Sequence, residues 1–275
     1  MAFLFSKIFF VISESNQKIM KTALITGASS GIGKELARIH ASNGGNVVLV
    51  ARRGAELESL RTELEEKYKI EVSIFQQDLS KEGAAKNVYE FCKEKNIEIE
   101  YLMNNAGFGG HGNFVDRPLE KDVEMIHLNI QTLVELSHLF LQDMKHRKSG
   151  KILNTASTAG FLPGPLQATY FATKAFVVSF SKGISHELKP HGISVTALCP
   201  GPVKTEFEFV AGMGNGDMFK NGATPYSTAL KGYKAMMKGK RICISDAGLN
   251  FLIKCLLPFI PDSILLGMIQ KMQTI

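Results

Sequence analysis

Cysteine is scarce in this sequence, and the few cysteines form no recognisable binding pattern. Four are present in 275 residues: Cys92, Cys199, Cys243 and Cys255. They show neither Cys-x-x-Cys spacing nor the spacing of Cys/His metal ligands. Scattered cysteines of this kind are typical of reduced core thiols in a cytoplasmic protein. We therefore expect no disulfide framework and no metal site.

Long hydrophobic runs are also missing. Residues 1–20 open on an apolar stretch that is too short to cross a bilayer, which needs ~20 residues. The stretch also lacks the charged start and the small-residue cleavage site of a secretory signal. We treat residues 1–20 as an N-terminal extension with three interpretations: translation that starts at Met20, which we expect, an interfacial anchor, or an extra packed strand.

Internal repeats and low-complexity segments are absent, and 45% of the residues are apolar. This length and composition suit one α/β domain with a large core. The net charge is +6, and from Lys231 to the end seven basic and two acidic residues leave +5. The basic charge thus belongs to the tail. We expect a small-molecule substrate and no nucleic-acid partner.

From residue 21 to residue 244, strand patterns alternate with helix patterns. Strands are predicted at residues 21–26, 46–51, 72–75, 100–103, 151–155, 193–198 and 241–244, with helices at 34–43, 56–68, 84–95, 119–147, 167–189 and 226–238. This alternation predicts a doubly wound, Rossmann-type parallel sheet of about seven strands.

A glycine-rich turn, Gly27-Ala28-Ser29-Ser30-Gly31-Ile32-Gly33, joins the first strand to the first helix. Glycines let the backbone approach a pyrophosphate, and a helix N-terminus offers it free N–H groups. The same turn without a ligand is the alternative. The combination of strand, loop and helix favours a dinucleotide cofactor.

Two arginines, Arg52 and Arg53, end the second strand. Arginine at this position favours the 2′-phosphate of NADP(H), whereas an acidic residue favours the free 2′-OH of NAD(H). The sequence therefore predicts NADP(H). Asp78 and Leu79 follow the third strand. Asp78 could accept a hydrogen bond from the adenine or could cap the next helix, and both interpretations stay open.

Tyr170 and Lys174 lie four positions apart on one face of a predicted helix. A fixed cation near a phenol lowers its pKa from ~10 toward the range of general acid/base catalysis. Ser157, after the strand at 151–155, could hold a carbonyl oxygen while the tyrosine protonates it. Asn129 lies among apolar residues and needs a partner, for which we expect a water bound to Lys174. An ordinary amphipathic helix is the alternative.

These motifs together resemble the classical short-chain dehydrogenase/reductase family over about residues 21–245. The segments that carry the likeness are Thr26-Gly27-x-x-x-Gly31-x-Gly33, Asn104-Asn105-Ala106-Gly107, Asn129, Ser157, Tyr170-x-x-x-Lys174 and Pro200-Gly201. Residues 172–177 and 198–203 are most similar to a bacterial branch of 3-oxoacyl-thioester reductases.

The resemblance implies hydride transfer with a nicotinamide cofactor. It implies four catalytic residues: Tyr170 as general acid or base, Lys174 on the nicotinamide ribose, Ser157 on the substrate oxygen and Asn129 on a proton-relay water. The cofactor-binding residues that we predict are Gly27, Ser29, Ser30, Gly31, Ile32, Gly33, Arg52, Arg53, Asp78, Leu79, Asn105, Ala106, Gly107, Tyr170, Lys174, Pro200, Gly201, Val203 and Thr205.

The expected family domain, residues 21–246, includes a substrate-lid segment at about residues 206–224, and the tail after it departs from the minimal family pattern. Residues 206–224 mix Phe and Met with Gly, which suits a mobile lid over an apolar substrate or a plain surface loop. Residues 247–275 predict an amphipathic helical extension whose prolines and charges exclude a membrane span. We expect this extension to pack on its own core or on a sister subunit. A substrate-pocket wall and an interfacial contact are the alternatives.

We therefore expect a cytoplasmic NADPH-dependent carbonyl reductase for an apolar, fatty-acyl or lipid-like ketone. The helices at 119–147 and 167–189 would form a homodimer or homotetramer, and the apolar and basic ends could touch a membrane surface. The alternatives are an alcohol, sugar or steroid dehydrogenase of the same family, a non-catalytic NADP(H)-binding regulator, and a membrane-surface scaffold. The complete Ser157, Tyr170 and Lys174 set disfavours the last two, because a binding module needs no tuned phenol.

Overall fold

The computed structural model describes residues 20–214 and 221–274. The expectations for residues 1–19, and for residues 215–220 of the expected lid, lie outside the described residues.

Among the described residues, seven parallel strands form one sheet in the order 3-2-1-4-5-6-7. The strands are β1 (Thr22–Thr26), β2 (Val47–Ala51), β3 (Val72–Gln76), β4 (Ile99–Asn104), β5 (Gly150–Thr155), β6 (Ile193–Cys199) and β7 (Ile242–Ile244). The strand order reverses between β1 and β4, which opens a crevice at the carboxyl ends of the strands. The predicted doubly wound parallel sheet is confirmed.

Helices cover both faces of the sheet. They are α1 (Gly31–Ser42), α2 (Gly54–Tyr68), α3 (Ala84–Glu94), α4 (Leu119–Ile126), α5 (Leu133–Arg147), α6 (Ala168–Glu187), α7 (Phe207–Val210), α8 (Pro225–Met237), α9 (Ala247–Phe251) and α10 (Asp262–Gln273). Alternate residues of each strand feed two core layers: Ile25 packs with Leu36 on one face, and Leu24 packs with Phe140 on the other. Strand periodicity and helix periodicity together account for these layers.

The predicted helix at 119–147 is continuous but irregular. A π-helical turn, His127–Thr132, joins α4 to α5 and contains Asn129. Such a wide turn is frequent at functional sites. It is also the one part of this helix that 3.6-residue periodicity did not predict.

The tail beyond β7 packs against the domain. After α9, a π-helical turn (Leu252–Leu256) and a 3-10 turn (Leu257–Phe259) lead into α10. Leu265 and Ile269 of α10 are buried against Met125, Tyr170 and Phe171. Among the described residues, no helix has both the length and the apolar character that crossing a bilayer requires.

Candidate active site

A cavity of about 630 Å³ lies at the carboxyl ends of the strands. We call one part the glycine half; it is lined by residues of 27–32, 51–53, 77–79, 105–107 and 200–205. We call the other part the apolar half; it is lined by residues of 162–171, 207–213 and 249–273. Ser157, Tyr170 and Lys174 also line the cavity. Of the predicted site residues, Gly33 and Asn129 are the two that are absent from its lining.

The glycine half is built by close approach of main chain. A Cβ on Gly27, whose φ is +65°, would lie 3.0 Å from the Cα of Ala106, and one on Gly33 would lie 2.3 Å from the carbonyl oxygen of Gly27. Gly33 therefore does not line the cavity. Because it has no side chain, it lets α1 pack closely against the glycine-rich turn. The backbone N–H groups of Asn105 and Ala106 both donate to Thr26 Oγ1 at 2.9 Å, which fixes β4 to β1 at this point.

The first turn of α1 faces the same space. Ser30 precedes the helix without a side-chain cap, and the first turn contains no acidic residue. The N-terminal N–H groups of α1 are thus open to an anionic partner. Thr205 lies across from Gly31, where a Cβ would stand 3.2 Å from the Thr205 methyl group. This cradle fits the pyrophosphate of a dinucleotide.

The two arginines after β2 have different surroundings. Arg53 donates to Ser29 Oγ at 3.2 Å through its NH2 group and pairs with Glu206 at 3.1 Å. The guanidinium of Arg52 is exposed, and within the described part of the chain it forms no hydrogen bond or ion pair. Arg53 therefore ties the turn to the segment before α7, whereas Arg52 is available to a ligand.

Asp78 is held by its own loop. Its Oδ1 atom accepts hydrogen bonds from the backbone N–H of Ser80 at 3.0 Å and from Ser80 Oγ at 2.8 Å. Partial burial opposes ionisation, but these bonds and the charge of Arg52 outweigh it and lower the pKa of Asp78. Because α3 starts only after Gly83, Asp78 does not cap that helix. Asp78 and Leu79 line the glycine half.

Tyr170 and Lys174 project from the first turns of α6 toward the carboxyl end of β5. Lys174 Nζ donates to the backbone oxygen of Thr155 at 2.8 Å and lies 5.8 Å from the centre of the Tyr170 ring. Ser157 Oγ accepts from the N–H of Ala159 at 3.1 Å. Strand β5 and helix α6 thus bring a hydroxyl, a phenol and an amine to one place.

Burial shifts the pKa values of this group. It raises the pKa of Tyr170 to about 12, against a smaller lowering effect of the Ser157 hydroxyl. It lowers the pKa of Lys174 to about 8. In the chain by itself, removal from water thus moves the Tyr170 pKa away from the range to which we expected Lys174 to bring it, and the tuning of Tyr170 by Lys174 stays a prediction.

Asn129 is satisfied by the protein itself. Its Nδ2 donates to the backbone oxygen of Phe108 at 3.0 Å and to Thr173 Oγ1 at 3.1 Å, and its Oδ1 accepts from the N–H of Phe108 at 3.2 Å. These direct bonds already give the buried amide partners, and the water on Lys174 stays a prediction. A Cβ on Gly107 would lie 2.8 Å from Asn129 Oδ1 and 3.5 Å from Lys174 Nζ. Asn129 therefore holds the loop of Gly107 and Phe108 in place, and this loop lies between Asn129 and Lys174.

The apolar half contains most of the residues that sequence reasoning missed. Tail side chains that line it are Leu249, Leu252, Ile253, Leu257, Ile260, Leu265, Met268, Ile269, Met272 and Gln273. The tail therefore packs on its own core and also lines this cavity, and its role as a wall of the substrate pocket stays a prediction. The helical spacing of these residues was a signal for a buried face. No sequence pattern predicted that Gln167 would line the cavity, or that the backbone oxygen of Thr155 would accept a hydrogen bond from Lys174.

The comparisons with known proteins agree with this geometry. A family model described as short chain dehydrogenase matches residues 21–211. The chain belongs to the short-chain dehydrogenase family. It is 38% identical over 188 residues to the human protein named 17-beta-hydroxysteroid dehydrogenase type 3, which covers 66% of this chain and 59% of that protein.

A second relative supports the expected likeness to 3-oxoacyl-thioester reductases. The protein named very-long-chain 3-oxoacyl-CoA reductase of Anas platyrhynchos is 35% identical over 195 residues, which covers 69% of this chain and 62% of the relative. The chain thus spans about six tenths of the length of these two relatives. The expected family resemblance, including its 3-oxoacyl reductase-like members, is confirmed.

A solved structure supports the fold. The short-chain dehydrogenase of Sphingobium yanoikuyae in complex with NADPH superposes with a TM-score of 0.77 at 30% identity, covering 88% of this chain and 97% of that one. Short-chain dehydrogenases bind a nicotinamide cofactor in this fold. The chain thus belongs to a family whose relatives are named dehydrogenases and reductases, as we expected.

Proposed function

We propose that this short-chain dehydrogenase is an NADPH-dependent carbonyl reductase that acts on an apolar ketone. The observation that carries the proposal is the place of the Ser157 hydroxyl, the Tyr170 phenol and the Lys174 amine. All three lie on the cavity wall between the glycine half, which fits a dinucleotide, and the apolar half, which fits a hydrophobic chain.

The cofactor supplies the hydride when it is bound. In our proposal, Ser157 Oγ holds the carbonyl oxygen of the substrate, and Tyr170 donates its proton to that oxygen as negative charge develops there. The pKa of about 12 keeps the phenol protonated at neutral pH, which suits a general acid for reduction. Lys174, with a pKa of about 8, is still largely protonated at pH 7 and stabilises the phenolate that proton transfer leaves behind.

The glycine half would hold the cofactor through the predicted residues between Gly27 and Thr205, with Asn129 as a brace. We propose that Arg52 selects NADP(H), because its exposed guanidinium is free of protein partners within the described residues. Titration of the protein with NADPH and NADH tests this. We expect tighter binding of NADPH and a loss of about tenfold in its affinity in Arg52→Ala. Tighter NADH binding by the wild-type protein would contradict the proposal.

The substrate is, in our proposal, a fatty-acyl or other lipid-like ketone. Phe171, Phe207, Met213 and the tail line the apolar half, and relatives carry the names of a 3-oxoacyl-CoA reductase and a hydroxysteroid dehydrogenase. The test is NADPH oxidation with 3-oxoacyl thioesters of rising chain length, beside steroid ketones, short polar ketones and sugars. We expect rates to rise with chain length. Reaction of the polar carbonyls alone would refute the apolar substrate and leave the reductase intact.

We propose that two copies pair through α4, the π-helical turn, α5 and α6. Leu119, Val123 and Ile126 are exposed along α4, and Phe176 is partly exposed on α6. A contact about a two-fold axis would bury the exposed apolar faces of α4 and α6 together. Sedimentation at micromolar concentration should give a dimer or tetramer, and a monomer would refute this assembly.

We also propose a cytoplasmic enzyme whose tail touches membrane surfaces. Phe251, Phe259 and Met272 are exposed, and the chain from Lys231 onward carries a net +5. Apolar side chains beside basic ones favour anionic lipid surfaces. Cosedimentation should be stronger with anionic than with neutral vesicles. Equal or absent binding to both would contradict the contact.

A further inference from the structure

Two glutamines interrupt the apolar half of the cavity. Gln167 immediately precedes α6, and Gln273 ends α10, 106 positions later. They are 4% and 6% exposed, and both line the cavity. Gln167 Nε2 donates to Gln273 Oε1 at 2.6 Å and to Met213 Sδ at 3.2 Å. A polar pair has thus been buried in a wall made largely of Leu, Ile, Met and Phe.

This pair has hydrogen-bonding capacity to spare. A glutamine amide offers two donors and a carbonyl oxygen that accepts twice. Within the described residues, Gln167 Oε1 and Gln273 Nε2 form no hydrogen bond with the protein. Because both side chains lie in the cavity wall, one acceptor and one donor remain for a bound molecule.

Anchoring of the tail does not explain the pair. The backbone oxygen of Gln273 already bonds to His111 Nε2 at 2.7 Å, and Leu265 and Ile269 pack α10 against Tyr170 and Phe171. An apolar side chain at position 273 would serve such packing without burying an amide, which is unfavourable unless its polar atoms find partners. A ligand with a polar group at this point would supply them.

We propose that Gln167 and Gln273 form a second polar recognition point, which selects apolar ketones that carry a hydroxyl group remote from the reacting carbonyl. This inference rests on the proposed reductase function. A hydroxyl fits both free atoms, since it donates to Gln167 Oε1 and accepts from Gln273 Nε2. The pair is then a specificity determinant for substrates with two polar ends and an apolar middle.

The test measures binding of 2-alkanones of rising chain length, each beside the same ketone with a terminal hydroxyl. Calorimetric titration in the presence of NADP⁺ allows no hydride transfer to a ketone. At the chain length that spans the gap, we expect the hydroxyketone to bind about fivefold to tenfold more tightly than its parent. Gln273→Met, a substitution of similar shape, should bring this ratio to about one.

Gln270→Met is the matched control, because Gln270 lies on the same helix but is exposed. It should keep the preference for the hydroxyketone. Gln167→Met removes the other half of the pair and provides a second variant if Gln273→Met folds poorly. A ratio near one at every chain length in the wild-type protein, an unchanged ratio in the folded variants, or no measurable binding of any ketone would overturn the inference.

Parallel measurement of NADPH oxidation separates this inference from the reductase proposal. If the protein oxidises NADPH with these ketones but shows no preference, the glutamine pair fails and the reductase stands. If the preference is present but NADPH is not oxidised, the reductase fails and the recognition point stands.

Discussion

In the glycine half of the cavity, close approaches of main chain shape much of the wall, whereas the apolar half is lined largely by bulky apolar side chains. A Cβ on Gly33 would lie 2.3 Å from a carbonyl oxygen, so the spacing there admits no other residue without movement of the backbone. A Cβ on Gly267, on the exposed face of α10 opposite the cavity-lining side chains, would meet nothing within 4 Å. The first half is therefore specified residue by residue, and the second by apolar character and volume.

The reacting groups, Tyr170 and Lys174, lie at the junction between the two halves. Tyr170 and Lys174 are buried where main chain on one side and apolar side chains on the other exclude water. Their pKa values move in opposite directions for the same reason, which is that burial disfavours charge.

The largest expected effect is at Tyr170. Tyr170→Phe removes only the hydroxyl, so kcat/KM for ketone reduction should fall by about 10³-fold, while NADPH affinity stays within about twofold. Steady-state NADPH oxidation and cofactor titration measure the two quantities. Tyr226→Phe is the control, because Tyr226 is 54% exposed and outside the cavity. Retained turnover in Tyr170→Phe would remove the acid/base assignment.

Lys174 should make stability depend on pH. Its pKa is about 8 in the folded protein against 10.5 for an ordinary lysine, so between these values the unfolded chain binds more protons. The free energy of unfolding of the wild-type protein should therefore rise with pH across this window relative to Lys174→Met, by up to about 3 kcal/mol.

Urea unfolding of both proteins on either side of the window measures this difference. Groups that are common to both proteins and are not coupled to Lys174, such as the buried thiol of Cys92, cancel in the subtraction. If the free energy of unfolding depends on pH in the same way in both proteins, Lys174 has an ordinary pKa. Burial would then not lower the pKa of Lys174, as we infer that it does.

Gly33→Ala and Gly267→Ala compare a glycine packed behind the glycine half with an exposed glycine of α10, the helix whose buried face lines the apolar half. The first places a methyl group against the main chain of Gly27, so we expect a loss of about 1–3 kcal/mol in stability together with weaker NADPH binding. The second adds a methyl group in open space within a helix, where alanine is favoured over glycine by about 0.5–1 kcal/mol. Thermal unfolding of both variants shows whether Gly33→Ala lowers stability and Gly267→Ala raises it. Equal responses would contradict the distinction between the halves.

The smallest effect is expected in the apolar half. Ile269→Leu keeps volume and apolar character, so it should change stability by less than about 1.5 kcal/mol and alter KM for apolar ketones more than kcat. Kinetics with the ketone series measures this split. A collapse of kcat would mean that the apolar half is as tightly specified as the glycine half.

Much of the fold and part of the site were predictable from the sequence because their signals are local. Period-2 and period-3.6 apolar patterns predicted the seven strands and the helices between them to within a few residues. The glycine turn and the spacing of Tyr170 and Lys174 are likewise local, since a strand-to-helix turn and one helical turn bring their residues together. Arg52 and Arg53 were both predicted to bind the cofactor from a local feature, their position at the end of the second strand.

Tertiary structure decided whatever depends on residues distant in the chain. It separated Arg53, held by Ser29 and Glu206, from the exposed Arg52, and it assigned Asp78 to its own loop rather than to α3. It raised the pKa of Tyr170 by burial, which a Tyr/Lys spacing cannot report. It also placed the tail on the cavity and joined Gln167 to Gln273. Apolar side chains are nearly interchangeable in a helical pattern, so the pattern predicts a buried face but does not name the surface that the face will cover.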